Sequence, residues 1–126
     1  RVDENEISHE IIGAAIEVHR VLGPGLLESV YEGALSFELR SKGLNVRQQQ
    51  ELPVVYKGVD LHGSFRMDLL VNDLVIVEIK SVERLLPIHE AQLLTYLKLA
   101  NKKLGLVLNF NSSAIRTSVR RVVNNL

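Results

Sequence analysis

Apolar residues recur with helical spacing over the first third of the chain. From Ile7 to Leu22 they return about every third or fourth position, which predicts a helix with one buried face. The segment Gly23-Pro24-Gly25 interrupts this pattern, because glycine and proline disfavour the interior of a helix. A second apolar stripe runs from Leu26 to Lys42, and Gly43 stands where such a helix ends. The chain is therefore predicted to open with two helices joined by a short loop.

After Gly43 the apolar period falls to two, which indicates extended strands. The predicted strands are Val46–Tyr56 with a bend at Pro53, Leu61–Val71, Val75–Ser81 and Leu104–Phe110, and a helix is predicted over Pro87–Asn101. The tail Ile115–Val123 alternates weakly, which leaves both a short fifth strand and a helix open. This order predicts one α/β (α+β) domain over residues 1–126.

The composition fits a single globular domain and excludes several classes of function. The 126 residues are 46% hydrophobic and 24% charged, which is near the globular average. No cysteine is present, which excludes disulfides, thiolate zinc sites and a cysteine nucleophile, and favours a cytoplasmic protein. The formal net charge is zero, so nucleic acid would have to bind through a local basic patch. The apolar runs are too short to span a membrane.

Charged residues interrupt two strands that otherwise have the composition of a core. Glu78 and Lys80 lie two positions apart in one predicted strand, so both side chains point to the same face. Asp68 lies amid apolar residues in the preceding strand. A two-residue turn at Asn72-Asp73 would set Asp68 opposite Val77. The two carboxylates converge only if the hairpin loop holds an odd number of residues, or if a bulge intervenes.

Two converging carboxylates with a neighbouring lysine fit a site for a hard divalent cation. Mg²⁺ prefers carboxylate oxygens, retains several waters and bridges to phosphate oxygens. A lysine beside it would place positive charge near an attacking water or a scissile phosphate. The alternative is an ordinary Asp–Lys–Glu cluster of salt bridges at the end of a strand.

Asp68 followed by Glu78-Ile79-Lys80 resembles the PD-(D/E)XK nuclease superfamily. The resemblance implies a restriction-endonuclease-like αβββαβ core, with a mixed central sheet flanked by helices and an extra helix at the N-terminus. It implies Mg²⁺ or Mn²⁺ as the cofactor, with Asp68, Glu78 and Ile79 at the metal. It also implies cleavage of phosphodiester bonds, with Lys80 as a catalytic residue beside Asp68 and Glu78.

A second motif lies at the start of the second helix. Gly25-Leu26-Leu27-Glu28-Ser29-Val30-Tyr31 resembles the signature of the bacterial GxxExxY family, a branch of the same superfamily, and the likeness extends over about Ile7 to Val123. It implies that Glu28 faces the metal. The alternative places Gly25 at the N-cap and Glu28 at the third helical position, where a carboxylate stabilises the helix start. Tyr31 is predicted to be a packing residue with a hydrogen-bonded hydroxyl.

Gln92 and Tyr96 lie one turn apart on the third helix, so their side chains point the same way. They resemble the QxxxY motif of several superfamily branches, which implies that both belong to the active site. The alternative is a polar helix face in solvent. His19 and His89 are interpreted as structural residues.

Basic residues are densest towards the C-terminus. Arg116, Arg120 and Arg121 are candidates for a rim that contacts phosphates of a nucleic acid, and the alternative is a solvated charged face.

Two functions of different classes follow from these residues. The first is an Mg²⁺- or Mn²⁺-dependent nuclease that acts on DNA, with RNA as the second choice. The other is a catalytically silent domain of the same fold that binds nucleic acid or a protein partner. The presence of Asp68, Glu78 and Lys80 together favours the enzyme. A homodimer would supply a second active site, and the sequence leaves the oligomeric state open.

Overall fold

Two helices open the chain in this computed structural model, which describes residues 3–63 and 65–126. Helix α1 spans Glu4–Leu22 and helix α2 spans Glu28–Ser41. Helix α1 begins earlier than its apolar pattern, because Asp3 and Glu6 form a reciprocal capping box ahead of it. It ends at Gly23, whose φ of 68° lies in the left-handed region that glycine tolerates.

A five-stranded mixed sheet forms the centre of the domain. In chain order its strands are β1 (Val46–Glu51), β4 (Arg66–Val71), β5 (Val75–Lys80), β6 (Leu104–Asn109) and β7 (Val119–Val123). Their order in the sheet is β1-β4-β5-β6-β7. Only β5 and β6 pair in parallel, and helix α3 (Pro87–Ala100) makes the crossover between them. The other three pairs are antiparallel.

The predicted strand Val46–Tyr56 is two elements instead of one. Strand β1 ends at Glu51, and β2 (Val55–Tyr56) pairs with β3 (Val59–Asp60) in a separate two-stranded hairpin. Pro53 lies between them and has no N–H to donate to a ladder. Lys57 and Gly58 form the turn between β2 and β3, and both residues have the positive φ that tight hairpins favour.

Two other predicted boundaries differ from the structure. The predicted strand Leu61–Val71 shortens to β4, which begins at Arg66, and the prediction at Ser64 lies outside the described residues. The tail contains both of the elements left open, a 3₁₀ turn at Ile115–Ser118 and then β7. The predicted α/β class with helices on a mixed sheet is confirmed.

The sheet separates two apolar layers. Helices α1 and α2 cover one face, where side chains such as Leu69, Val77 and Ile79 are buried. Helix α3 covers the other face, against Leu70 and Ile76. Alternation along β5 therefore points Glu78 and Lys80 towards the side of α3. None of the helices within residues 3–63 and 65–126 has the length and apolarity needed to cross a membrane.

Candidate metal centre and active site

Asp68 and Glu78 face each other across the hairpin of β4 and β5. The ladder pairs Val71 with Val75 and Leu69 with Val77, so one further step along both strands sets Asp68 opposite Glu78. The connection is a three-residue loop, Asn72-Asp73-Leu74. The odd loop length that the sequence required for convergence is therefore confirmed.

Hydrogen bonds from the main chain hold both carboxylates at this point. The Asp68 N–H donates to Glu78 Oε2 at 3.2 Å, and the Ile79 N–H donates to Asp68 Oδ2 at 2.8 Å. The ladder of paired residues between the two strands ends at Leu69 and Val77. Each carboxylate thus accepts a hydrogen bond from the opposite strand where the two strands separate.

Glu78 is the one charged residue that is buried among the described parts of the chain, with 7% of its surface exposed. Burial raises the pKa of Glu78 to about 8, and the nearby charge of Asp68 adds to the rise. The Asp68 N–H and the charge of Lys80 act in the opposite direction. A divalent cation would relieve the repulsion between the two carboxylates and favour their ionised forms.

The donor set fits a cation that keeps part of its water shell. Within residues 3–63 and 65–126, no group of three or more His, Cys, Asp or Glu side chains is arranged to hold a metal. Two convergent carboxylates meet the preference of Mg²⁺, which is held by one or two carboxylates together with waters and substrate phosphates. The Ile79 side chain is apolar, so Ile79 could contribute only through its main-chain oxygen.

Glu28 reaches the end of β5 from α2. The N-cap of α2 is Leu27, so Glu28 is the first helical residue and the predicted third position is wrong, although its carboxylate still lies in the first turn, where it complements the helix dipole. Glu28 Oε2 accepts the Ser81 N–H at 3.3 Å. The Ser81 hydroxyl donates to the Leu26 carbonyl at 2.7 Å, which ties the two segments together. The charge of Glu28 also contributes to the raised pKa of Glu78.

Tyr31 anchors the loop that leads to Glu28. Its hydroxyl donates to the Gly23 carbonyl at 2.5 Å and accepts the Leu26 N–H at 3.1 Å. Its ring is fully buried and stacks on Phe110, with 4.6 Å between the ring centroids. The spacing of glycine, glutamate and tyrosine in this segment thus has a structural reason. Tyr31 stabilises the turn that positions Glu28, and it is the packing residue with a hydrogen-bonded hydroxyl that the sequence predicted.

We expect Tyr31→Phe to lower the free energy of unfolding by about 1–2 kcal/mol, because the Gly23 carbonyl and the Leu26 N–H lose the partner of a part-buried hydrogen bond. Urea denaturation followed by circular dichroism measures this change. Tyr56→Phe is the matched control, since Tyr56 is 59% exposed and its stability should change by less than about 0.5 kcal/mol. Equal stability of the two variants would contradict the anchoring role.

Tyr96 of α3 lies near the two carboxylates, since the charges of Glu78 and Asp68 act on its hydroxyl. Gln92, one turn earlier on α3, is exposed, and its side chain interacts with the Tyr96 hydroxyl. Burial and these charges raise the pKa of Tyr96 to about 12, so the hydroxyl is neutral at physiological pH. Tyr96 is also packed on Phe65, with 3.6 Å between ring centroids.

Lys80 lies one pleat beyond Glu78, on the same face and half-buried. Its ammonium has no ion pair within 4 Å in the described part of the chain, although its charge lowers the pKa of Glu78. The Lys80 ammonium is therefore available to bind an anion on this face of the sheet.

Asn109, which was not predicted from the sequence, fixes the loop after Lys80. Asn109 is buried, its Oδ1 accepts the Val82 N–H at 3.0 Å and its Nδ2 donates to the Val82 carbonyl at 2.9 Å. An asparagine at the end of a strand with six buried residues was the available signal. His19 and His89 make structural hydrogen bonds, to the Ser112 carbonyl and the Leu86 N–H.

The three arginines predicted as a phosphate rim are not gathered on one face. Arg120 forms an ion pair with Glu90 of α3, whereas Arg121 donates to Asn5 of α1 at 2.6 Å. Neighbouring residues of a strand point to opposite faces, which explains this division. Arg116 is exposed in the 3₁₀ turn and lines a cavity of about 300 Å³ with His19.

Comparison with known proteins identifies one family. The family model of the PD-(D/E)XK nuclease superfamily matches residues 5–122, which is nearly the whole chain. Members of this superfamily are typically nucleases and usually use divalent metals. A search of curated proteins and a search of solved structures return no match.

Proposed function

We propose that this chain, which belongs to the PD-(D/E)XK nuclease superfamily, is an Mg²⁺- or Mn²⁺-dependent nuclease that hydrolyses phosphodiester bonds of DNA in preference to RNA. We further propose that it is a member of the GxxExxY branch, on the basis of the segment from Gly25 to Tyr31. The observation that carries the proposal is the convergence of Asp68 and Glu78 beside Lys80, at the point where β4 and β5 separate.

Asp68 and Glu78 hold the metal, with Glu28 near the end of the same strand and with the main-chain oxygen of Ile79. The buried position of Glu78 supports this role, because a charge in a poorly solvated site needs a counter-ion. The cation, when bound, supplies positive charge that offsets the charge of the phosphodiester.

Lys80 acts on the reacting phosphate. Hydrolysis forms a bond from a water oxygen to phosphorus and breaks the bond to one ester oxygen, which leaves and gains a proton. The charge on the phosphoryl oxygens is redistributed in the transition state, so a fixed ammonium nearby lowers the barrier. We assign Gln92 a contact to the metal or the phosphate, beside the neutral Tyr96 hydroxyl with which its side chain interacts. Arg120 and the exposed Arg116 are candidates for contacts to the remaining phosphates, and Arg121 lies on the opposite face from Arg120.

Glu28→Gln tests whether the carboxylate of Glu28, on α2, takes part in the metal site. The amide keeps an oxygen for the Ser81 N–H but removes the charge, so we expect cleavage to fall about tenfold or more while the melting temperature changes little. Glu38→Gln, a change of the same charge further along α2, is the control. Unchanged cleavage together with a loss of about 0.5–1 kcal/mol of stability would leave Glu28 with a helix-start role only.

The proposed activity is tested with single-stranded, duplex and branched DNA and with RNA. Each substrate is incubated with the parent and with Asp68→Asn, in Mg²⁺, Mn²⁺ or EDTA. We expect metal-dependent products from the parent on at least one DNA and none from the variant. Tight binding of a substrate without cleavage would instead favour the silent binding domain. Equal products from parent and variant would identify a contaminating nuclease.

A further inference from the structure

Strand β1 contains a strained residue beside the candidate metal centre. Gln49 has a φ of 52°, which places a non-glycine residue in the left-handed region. The other non-glycine residues with positive φ among those described lie in turns or beyond element ends, so Gln49 is the one within a strand. Strain of this kind persists only where surrounding contacts hold it, and it is concentrated at functional sites.

The strain coincides with a break in strand pairing opposite Asp68. Gln48 pairs with Leu69 and Gln50 pairs with Met67, but the intervening pair of Gln49 with Asp68 is not formed. The Gln49 carbonyl instead accepts a hydrogen bond from Arg66 at 3.2 Å. The backbone therefore departs from the ladder at the residue opposite Asp68.

The side-chain amide of Gln49 connects two carboxylates. Its Nε2 donates to Glu32 Oε1 at 2.7 Å and to Asp68 Oδ1 at 3.3 Å. Glu32 lies one turn after Glu28 on α2, and its second oxygen accepts from Gln48 at 3.2 Å. Glu32 thus fixes the amide group, and both hydrogens of that amide are used.

Asp68 receives one donor on each oxygen as a result. The Ile79 N–H occupies Oδ2, and the Gln49 amide occupies Oδ1. Two donors on opposite oxygens fix the plane of the carboxylate. An amide at this position carries no charge, so it orients Asp68 without competing with a cation as lysine or arginine would.

We propose that Gln49 is a positioning residue that orients Asp68 for metal binding, with Glu32 holding the Gln49 amide in place. This inference rests on the proposed function, because it takes Asp68 as a metal ligand. Hydrogen-bond partners of metal ligands commonly change metal affinity or activity 10- to 100-fold when they are removed. The left-handed backbone conformation of Gln49 positions its side-chain amide within hydrogen-bond distance of Asp68.

Gln49→Gly separates positioning from structural support. Glycine adopts a φ of 52° without strain, so the variant keeps the backbone and removes only the amide. We expect its melting temperature to stay within a few degrees of the parent, while Mn²⁺ affinity measured by calorimetric titration falls about tenfold. Gln48→Ala is the matched control, because it removes a donor to Glu32 but none to Asp68, and it should bind Mn²⁺ within about twofold of the parent.

The outcomes distinguish this inference from the proposed function. If the parent binds Mn²⁺, Asp68→Asn does not, and Gln49→Gly binds as tightly as the parent, the positioning role is wrong and the metal site stands. If the parent binds no Mn²⁺, the proposed function fails and the role of Gln49 fails with it. Should Gln49→Gly not fold, Gln49→Asn is read in the same way, since asparagine tolerates the left-handed region and its amide is one methylene shorter.

Discussion

Replacing Lys80 by alanine lowers the rate of phosphodiester cleavage about 10²-fold or more and leaves Mn²⁺ affinity equal to that of the parent or higher. The reason is that the ammonium acts mainly in the transition state, when charge on the phosphate is redistributed. In the resting protein Lys80 is a like charge beside the metal ligands, so its removal does not weaken cation binding. Affinity for nucleic acid in Ca²⁺ changes only modestly, because one phosphate contact is a small part of the electrostatic attraction.

Single-turnover cleavage in Mn²⁺ and calorimetric titration of Mn²⁺, on the same preparations, check these two expectations. Lys103→Ala is the control for loss of one positive charge, because Lys103 is exposed and lies outside the site. A Lys80→Ala protein that cleaves as fast as the parent would contradict the assigned site, even if the enzyme class is correct.

The metal-free protein loses stability as the pH rises from about 4.5 to about 8. The pKa of Glu78 is about 8 in the folded protein, against an ordinary value of 4.5, so the folded state binds more protons in this interval than the unfolded state does. The stabilisation is complete below the unfolded value and is lost as the pH rises through the folded value. A shift of this size corresponds to a change on the order of 5 kcal/mol in the free energy of unfolding.

Urea denaturation in EDTA between pH 5 and 9 measures this dependence. Glu78→Gln is expected to flatten the curve and to exceed the parent in stability at high pH, because a neutral amide keeps an acceptor for the Asp68 N–H. Glu51→Gln, an exposed carboxylate at the end of β1, should follow the parent curve. Addition of Mn²⁺ at pH 8 should restore the lost stability, since a ligand bound only by the folded state stabilises it. A parent curve as flat as that of Glu78→Gln would contradict the burial of a charged carboxylate.

The sequence predicted the central elements because each depends on local patterns. The period of apolar residues predicted helices α1, α2 and α3 and strands β5 and β6 to within a few residues, whereas it extended β1 and β4 too far and left β7 undecided. For the register of Asp68 against Glu78, alternation gave a condition, namely that the carboxylates converge only across an odd loop or a bulge, and the three-residue loop meets it.

The features that the sequence missed depend on contacts between distant segments. Gln49 lies between Gln48 and Gln50, and nothing in this run of three glutamines indicates which one departs from the strand. Its left-handed conformation is supported by Arg66 and Glu32, which lie 17 residues away on either side. The link from Glu28 to Ser81 spans 53 residues, so local spacing could offer only a helix-start role or a resemblance as explanations of Glu28.

Anomalous diffraction from a crystal soaked in Mn²⁺ at pH 8.5 tests the metal site most directly. The soak should be above the pKa of Glu78, so that both carboxylates are ionised when the cation arrives. We predict one strong peak between Asp68 and Glu78, at about 2.0–2.3 Å from an oxygen of each, as expected for a small hard cation. The same soak of Asp68→Asn should lose the peak. A parent crystal with no peak between these carboxylates, at an Mn²⁺ concentration that supports cleavage in solution, would contradict the account.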